Sequence, residues 1–269
     1  MNAAQPIGVF DSGLGGLTVA NALLKHLPYE NLVYFGDTLH IPYGDKTPES
    51  IQQFCAAITH FLLDKGCKAI IIACNTASSV AYSTVVETAR NKALVINVID
   101  PVAAHLKQCC AGQKTVGVIG TRRTIESKAY ENHIHSHLPE MDVKAMETPL
   151  LVPMIEEGFI NDTVSQAVLK RYLSHKTLQG IETLILACTH YPIVKAEIEF
   201  YYQNKVNVLD TPTVIAQYIR NLFTEKEILN SANDGTHHFY VSKLSQTFEK
   251  LAKTFFSYPF RLQEVPTFH

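Results

Sequence analysis

The chain repeats itself. TVGVIGT (115–121) resembles PIGVFDS (6–12), and Asp37-Thr38 with Pro42 downstream returns as Glu147-Thr148 with Pro153 downstream. KAIIIACNT (68–76) returns as ETLILACTH (182–190), and VIDPV (98–102) as VLDTPTV (208–214). The offsets are 109, 110, 114 and 110 residues. Four echoes in one order at nearly one spacing mark a tandem duplication, and a duplicated unit must fold twice.

The unit is α/β. PIGVF (6–10) reads as a buried strand ending at Asp11, 14–27 as a helix, and NLVYFGD (31–37) as a second strand. The stretch 47–65 predicts a helix with Thr47 as N-cap and Pro48 at its first position. KAIIIAC (68–74) is continuously apolar, as a central parallel strand covered on both faces must be. This alternation predicts two pseudo-symmetric three-layer α/β domains with mostly parallel sheets. VIDPV and VLDTPTV are the crossovers. A helical stretch (213–224), a polar loop (230–238) and a short strand, HFYVS (238–242), then return to the first copy. The expected division is 1–98 plus 211–269 for the first domain and 99–210 for the second, with the site in the cleft between them.

Charge narrows the partners. Lys plus Arg number 23 against 25 Asp plus Glu, so there is no basic surplus for nucleic acid or an anionic membrane. No apolar run approaches the roughly 20 residues of a spanning helix. MNAAQPIGVF lacks the pattern of a secretory leader, so a cytoplasmic address is expected.

Of six cysteines none forms a CxxC pair, which disfavours a zinc ribbon or a dithiol redox motif. The default for each is a reduced, buried, small apolar residue. Cys55 and Cys67 fit a core role, and Cys109 and Cys110, which have no repeat partner, a structural or incidental one. Cys74 and Cys188 stand apart because the repeat puts them at equivalent strand ends, where ligands of open α/β sheets bind. The helix that follows Cys74 favours its thiolate.

The neighbouring motifs are polar and small. Asp11-Ser12-Gly13-Leu14-Gly15-Gly16 joins a strand to a helix and suits either an anion site or a tight turn. Asn75, Thr76 and Thr189 offer donors, and His190, two residues past Cys188, can tune that thiol. Cys74, Cys188 and His190 also allow a zinc site, though zinc wants three or four ligands. His133, His135 and His137 alternate, but at a helix end they spread apart. Arg122 and Arg123 read as surface charges or as an attraction for an acidic ligand.

Two matched thiols on opposite sides of a cleft suit one chemistry. Inverting a stereocentre without a cofactor requires a base on one face of Cα and an acid on the other. One thiolate and one thiol meet that need, titrating as a coupled pair. Asp11 and His190 would orient them or carry protons, and Ser12, Asn75, Thr76 and Thr189 would bind the substrate carboxylate and the developing carbanion.

VFDSGLGGLTV (9–19), YFGDTLHIPYG (34–44), ACNTAS (73–78), VGVIGT (116–121) and LACTHYP (186–192) resemble the signature segments of the glutamate racemase family, within the aspartate/glutamate racemase superfamily. The resemblance implies interconversion of L- and D-glutamate with no pyridoxal phosphate or metal, supplying D-glutamate for peptidoglycan. It implies Cys74 and Cys188 as the acid/base pair. Asp11, Ser12, Tyr43, Gly44, Asn75, Thr76, Thr189 and His190 would be its substrate contacts. It also implies an assisting glutamate in LVPMIEEG (151–158), Glu156 in preference to Glu157. Arg122-Arg123 departs from the small or apolar residues common after VIGT. The short stretch before the first strand makes control by a peptidoglycan precursor unexpected, and the reading allows a homodimer. The alternatives are an aspartate racemase, a two-domain binding protein and a zinc hydrolase.

Overall fold

A computed structural model describes residues 2–110, 112–231 and 235–265. Strands β1 (Ile7–Asp11), β2 (Leu32–Gly36), β3 (Ala69–Ile72) and β4 (Leu94–Asn97) lie in one sheet. Strands β5 (Thr115–Gly120), β6 (Asp142–Glu147), β7 (Thr183–Ala187) and β8 (Asn207–Val208) form the other. Strands β9 (His237–Val241) and β10 (Leu262–Glu264) extend the first sheet beyond β2. The orders are β10-β9-β2-β1-β3-β4 and β6-β5-β7-β8, and every pairing is parallel. The shared core order, β2-β1-β3-β4 and β6-β5-β7-β8, is the sequence repeat made structural. The fold is the two-sheet α/β architecture that the repeat requires.

The apolar strands are buried on both faces, each face serving a different core. Ile7, Val9, Leu32, Tyr34, Ala69 and Ile71 face one apolar cluster, which continues through the second sheet. Phe10, Val33, Phe35, Ile70 and Ile72 face a separate cluster under the helix Pro48–Asp64. The first cluster includes Leu106 and Ile219, so the helices Ile99–Cys109 and Thr211–Glu225 fill the seam between the sheets. Lys68, at the start of the stretch read as apolar, is fully buried and pairs with Glu30 at 2.7 Å.

Helix boundaries sharpen the reading. The helix Pro48–Asp64 starts on its Thr47 cap as expected. The helix expected over 14–27 begins only at Leu17, because Ser12 to Gly16 form the tight turn that carries the site. The sequence reading missed the helix Gln246–Phe255 and β10.

Candidate active site

The C-terminal ends of β1, β3 and β7 deliver the site, each through the residue that ends or follows the strand. Asp11 ends β1 and is fully buried. It accepts the Gly13 N–H at 3.1 Å and the Thr189 hydroxyl at 3.3 Å. Burial raises its pKa above the ordinary carboxylate value, opposed by the His190 charge, the Gly16 and Gly13 N–H groups and Thr189.

Cys74 follows β3 and caps the helix Asn75–Val80, its sulfur 3.5 Å from the Ala77 N–H. The thiol donates to Ser12 Oγ at 3.6 Å. The expected thiolate bias is outweighed here. Burial pushes the Cys74 pKa to about 12, and the Asp11 charge adds to it, against the Ala77 N–H and the Ser12 groups. A six-residue helix end offers too little field to offset full desolvation.

Cys188 follows β7, and His190 Nδ1 lies 3.9 Å from its sulfur. The other ring nitrogen, Nε2, meets Glu156 Oε1 at 3.0 Å, and the Phe255 ring stands edge-on at 5.2 Å. Burial works against the charged imidazole, yet the contacts to Cys188 and Glu156 prevail and raise its pKa to about 10. A cation therefore sits beside the Cys188 sulfur at neutral pH. Glu157 is exposed and does not line the cavity; Glu156 does.

The glycine turn has two functions. Ser12 and Gly13 line the cavity. Gly15 does not: a β-carbon there would lie 2.4 Å from His190 Nδ1. Thr18 Oγ1 also donates to the Thr189 carbonyl at 3.0 Å. The turn is thus the surface on which the Thr189-His190 segment seats.

The remaining contacts are held just as firmly. The Tyr130 hydroxyl donates to Asn75 Oδ1 at 2.6 Å. Thr76 Oγ1 lies 2.9 Å from Thr121 Oγ1 and 3.3 Å from Thr124 Oγ1, a hydroxyl cluster bridging the two repeats. The Tyr43 hydroxyl donates to Asp37 at 2.6 Å, and Ser242 donates to the same carboxylate at 2.9 Å. Gly44 passes close to Thr121, where a β-carbon would sit 3.1 Å from its Cβ.

These groups enclose a cavity of about 180 Å³, below the roughly 300–1,000 Å³ of drug-sized pockets and suited to a small metabolite. Ser12, Tyr43, Gly44, Asn75, Thr76 and Thr189 line it, as do both thiols, His190 and Glu156, with Asp11 directly behind. The sequence reading missed Thr121 and Thr148 in the wall and Tyr130 behind Asn75. The repeat carried the signal for the first: Thr121 lies 109 residues past Ser12, the offset that relates Val116 to Ile7.

The other candidates lie elsewhere or at the rim. Arg122 lines the mouth and pairs with Glu147 at 3.1 Å, with both side chains about half exposed. Arg123 reaches across the cleft to the Lys46 carbonyl at 3.1 Å. On the helix Ala129–His137, His133 pairs with Asp100 and His135 with the Met141 carbonyl. Among the described residues no group of three or more His, Cys, Asp or Glu is arranged to hold a metal ion. Cys74, Cys188 and His190 do not form such a group. Cys55 and Cys67 are buried in the core. No helix among the described residues is long and apolar enough to cross a membrane.

Known proteins share this architecture. The family model for Asp/Glu/Hydantoin racemase matches residues 17–219. A glutamate racemase of Neisseria meningitidis is 37% identical over 254 residues, covering 93% of this chain and 92% of its own. The solved glutamate racemase of Francisella tularensis, in complex with D-glutamate, superposes with a TM-score of 0.90 at 39% identity over 98% of both chains. That of Bacillus anthracis, isoform RacE1, also gives 0.90, at 32% identity over 98% of both. Paired α/β units with a thiol from each in one closed cleft define the class: an isomerase, an amino-acid racemase. Within that class the chain belongs to the glutamate racemase family.

Proposed function

We propose that the chain interconverts L- and D-glutamate by proton transfer at Cα between Cys74 and Cys188. One observation carries the reading: two thiols from equivalent strand ends of a duplicated unit line one small enclosed cavity. The D-glutamate bound to the Francisella tularensis relative supports the substrate.

The two sulfurs sit in unequal surroundings. Cys74 rests as the thiol, since its pKa lies near 12. Cys188, beside the His190 cation, is the first base in the direction that begins on its face. Cys74 then donates to the opposite face and is left as a thiolate held by Ser12 and the Ala77 N–H. In the reverse direction Cys74 must first ionise, and the substrate ammonium group favours that. Enantiomers have equal free energies, so kcat/KM must be the same in both directions whatever this inequality; it can appear only in kcat and KM separately.

The substrate carboxylate needs fixed donors. Tyr130 holds Asn75 Oδ1 and so turns the Asn75 amide NH₂ toward the ligand. Ser12, Thr76 and Thr189 supply hydroxyls, and the Tyr43-Gly44 segment supplies backbone groups on the side-chain end. Fixed dipoles lining the cavity stabilise the developing carbanion without reorganising. Asp11 orients Thr189, and Glu156 keeps His190 charged.

The reading extends to a first domain of 1–98 plus 211–269 and a second of 99–210. It places the enzyme in the cytoplasm, where its D-glutamate enters peptidoglycan synthesis, with a homodimer as the assembly. Separate assays on L-glutamate and L-aspartate with wild type, Cys74→Ala and Cys188→Ala test it. Racemisation of glutamate, abolished in each variant, is expected. Turnover of aspartate alone would overturn the substrate, and full activity in either variant would overturn the two-base assignment.

A further inference from the structure

Cys109 and Cys110 take no part in the proposed chemistry. Cys109 ends the helix Ile99–Cys109, and Cys110 caps it through an N–H to the Leu106 carbonyl. Their sulfurs lie 3.2 Å apart, turned to the same side. Cys109 is exposed and Cys110 is buried, 3.6 Å from Thr183 Oγ1 at the start of β7. One sulfur is open to a reagent, and the other waits behind it at contact distance. We propose that Cys109 and Cys110 form a reversible redox site that closes to a disulfide between adjacent residues.

Geometry argues for a switch over a structural bond. Adjacent Cα atoms are about 3.8 Å apart. Relaxed disulfides span about 4.4–6.8 Å. The closed ring is therefore strained, and strained disulfides are the readily reduced kind. The co-reactant is a low-molecular-weight disulfide. The Cys109 thiolate attacks one of its sulfurs and expels one small thiolate. The Cys110 sulfur, losing its proton to solvent, then attacks the Cys109 sulfur and expels the second. Two electrons pass from the cysteine pair to the reagent, which leaves as two thiols. Partial burial, with the hydrogen bond and charge of Cys110, pushes the Cys109 pKa to about 12, so closure is slow at neutral pH and quickens as pH rises.

Trypsin cuts after Lys107 and Lys114 and releases a peptide, 108–114, carrying these two cysteines and no others. The intact protein is incubated with glutathione disulfide, alkylated, digested without reduction and weighed. The expected peptide is two hydrogens lighter than the dithiol and alkylated at neither cysteine. Dithiothreitol should restore double alkylation. In Cys110→Ser, Cys109 should instead stop at the glutathione adduct. Three wild-type outcomes overturn the proposal: both cysteines still alkylatable, a lasting adduct on Cys109 with Cys110 free, or a bond from Cys109 to another chain. If Cys110→Ser does not fold, the wild-type masses alone decide.

Discussion

Gly15→Ala tests how the site is assembled. The Gly15 φ lies outside the left-handed region, so alanine adds no backbone strain there. The cost is contact. The new β-carbon would sit 2.4 Å from His190 Nδ1 and 2.5 Å from Thr189 Oγ1, where ordinary contact begins at 3.4 Å. Both side chains are buried, and neither clashing atom is the far end of a flexible chain. Relief therefore demands a separation of about 1 Å between the glycine turn and the segment carrying Thr189 and His190, at an overpacking cost of about 1–3 kcal/mol. A 1 Å misplacement of reacting groups costs about 10²-fold. Initial rates of D-glutamate formation, followed by circular dichroism, should fall by about that factor in kcat. Thermal unfolding should shift by only several degrees. Activity within threefold of wild type would refute the view that this glycine seats the second half of the site.

Two further perturbations probe the supports. Tyr130→Phe strands the Asn75 carbonyl in a buried position, which costs about 1–3 kcal/mol and frees the amide to turn. KM for glutamate should rise about tenfold or more with a smaller change in kcat, and an unchanged KM would remove Tyr130 as a positioning residue. His190, with its pKa raised to about 10, stays protonated through neutrality. The activity and stability that depend on its charge are complete below about 6.5 and are lost as pH rises through about 10. The alkaline limb of kcat/KM should move to lower pH in Glu156→Gln, and coincident profiles would show that Glu156 does not sustain the charge.

The sequence revealed the sheets more fully than the supports of the site. Continuous apolar runs such as Ala69–Ile72 leave little choice of structure, and their recurrence at one offset fixed the pairing of halves and of thiols. What escaped was of two kinds. β10 is short and mostly polar, as an edge strand can be, and gives no periodic signal. The helix Gln246–Phe255 did carry one, with Phe248, Leu251, Ala252 and Phe255 at helical spacing behind a Ser245 cap. The other kind is tertiary. The contact of Tyr130 with Asn75 and that of Ser242 with Asp37 join residues far apart in the chain, which no local pattern encodes. The thiolate bias expected at Cys74 failed for the same reason: a helix end is visible in sequence, but the burial of the thiol is set by the tertiary fold.

The central claim is that two sulfurs act on opposite faces of one carbon. It is tested most directly by converting L-glutamate in deuterium oxide and stopping the reaction early. The thiol that will protonate the opposite face then carries deuterium from solvent before the substrate binds. The account predicts that the D-glutamate formed bears deuterium at Cα while the unreacted L-glutamate keeps its protium. D-glutamate that retains the original protium would mean one base serves both faces, and would contradict it.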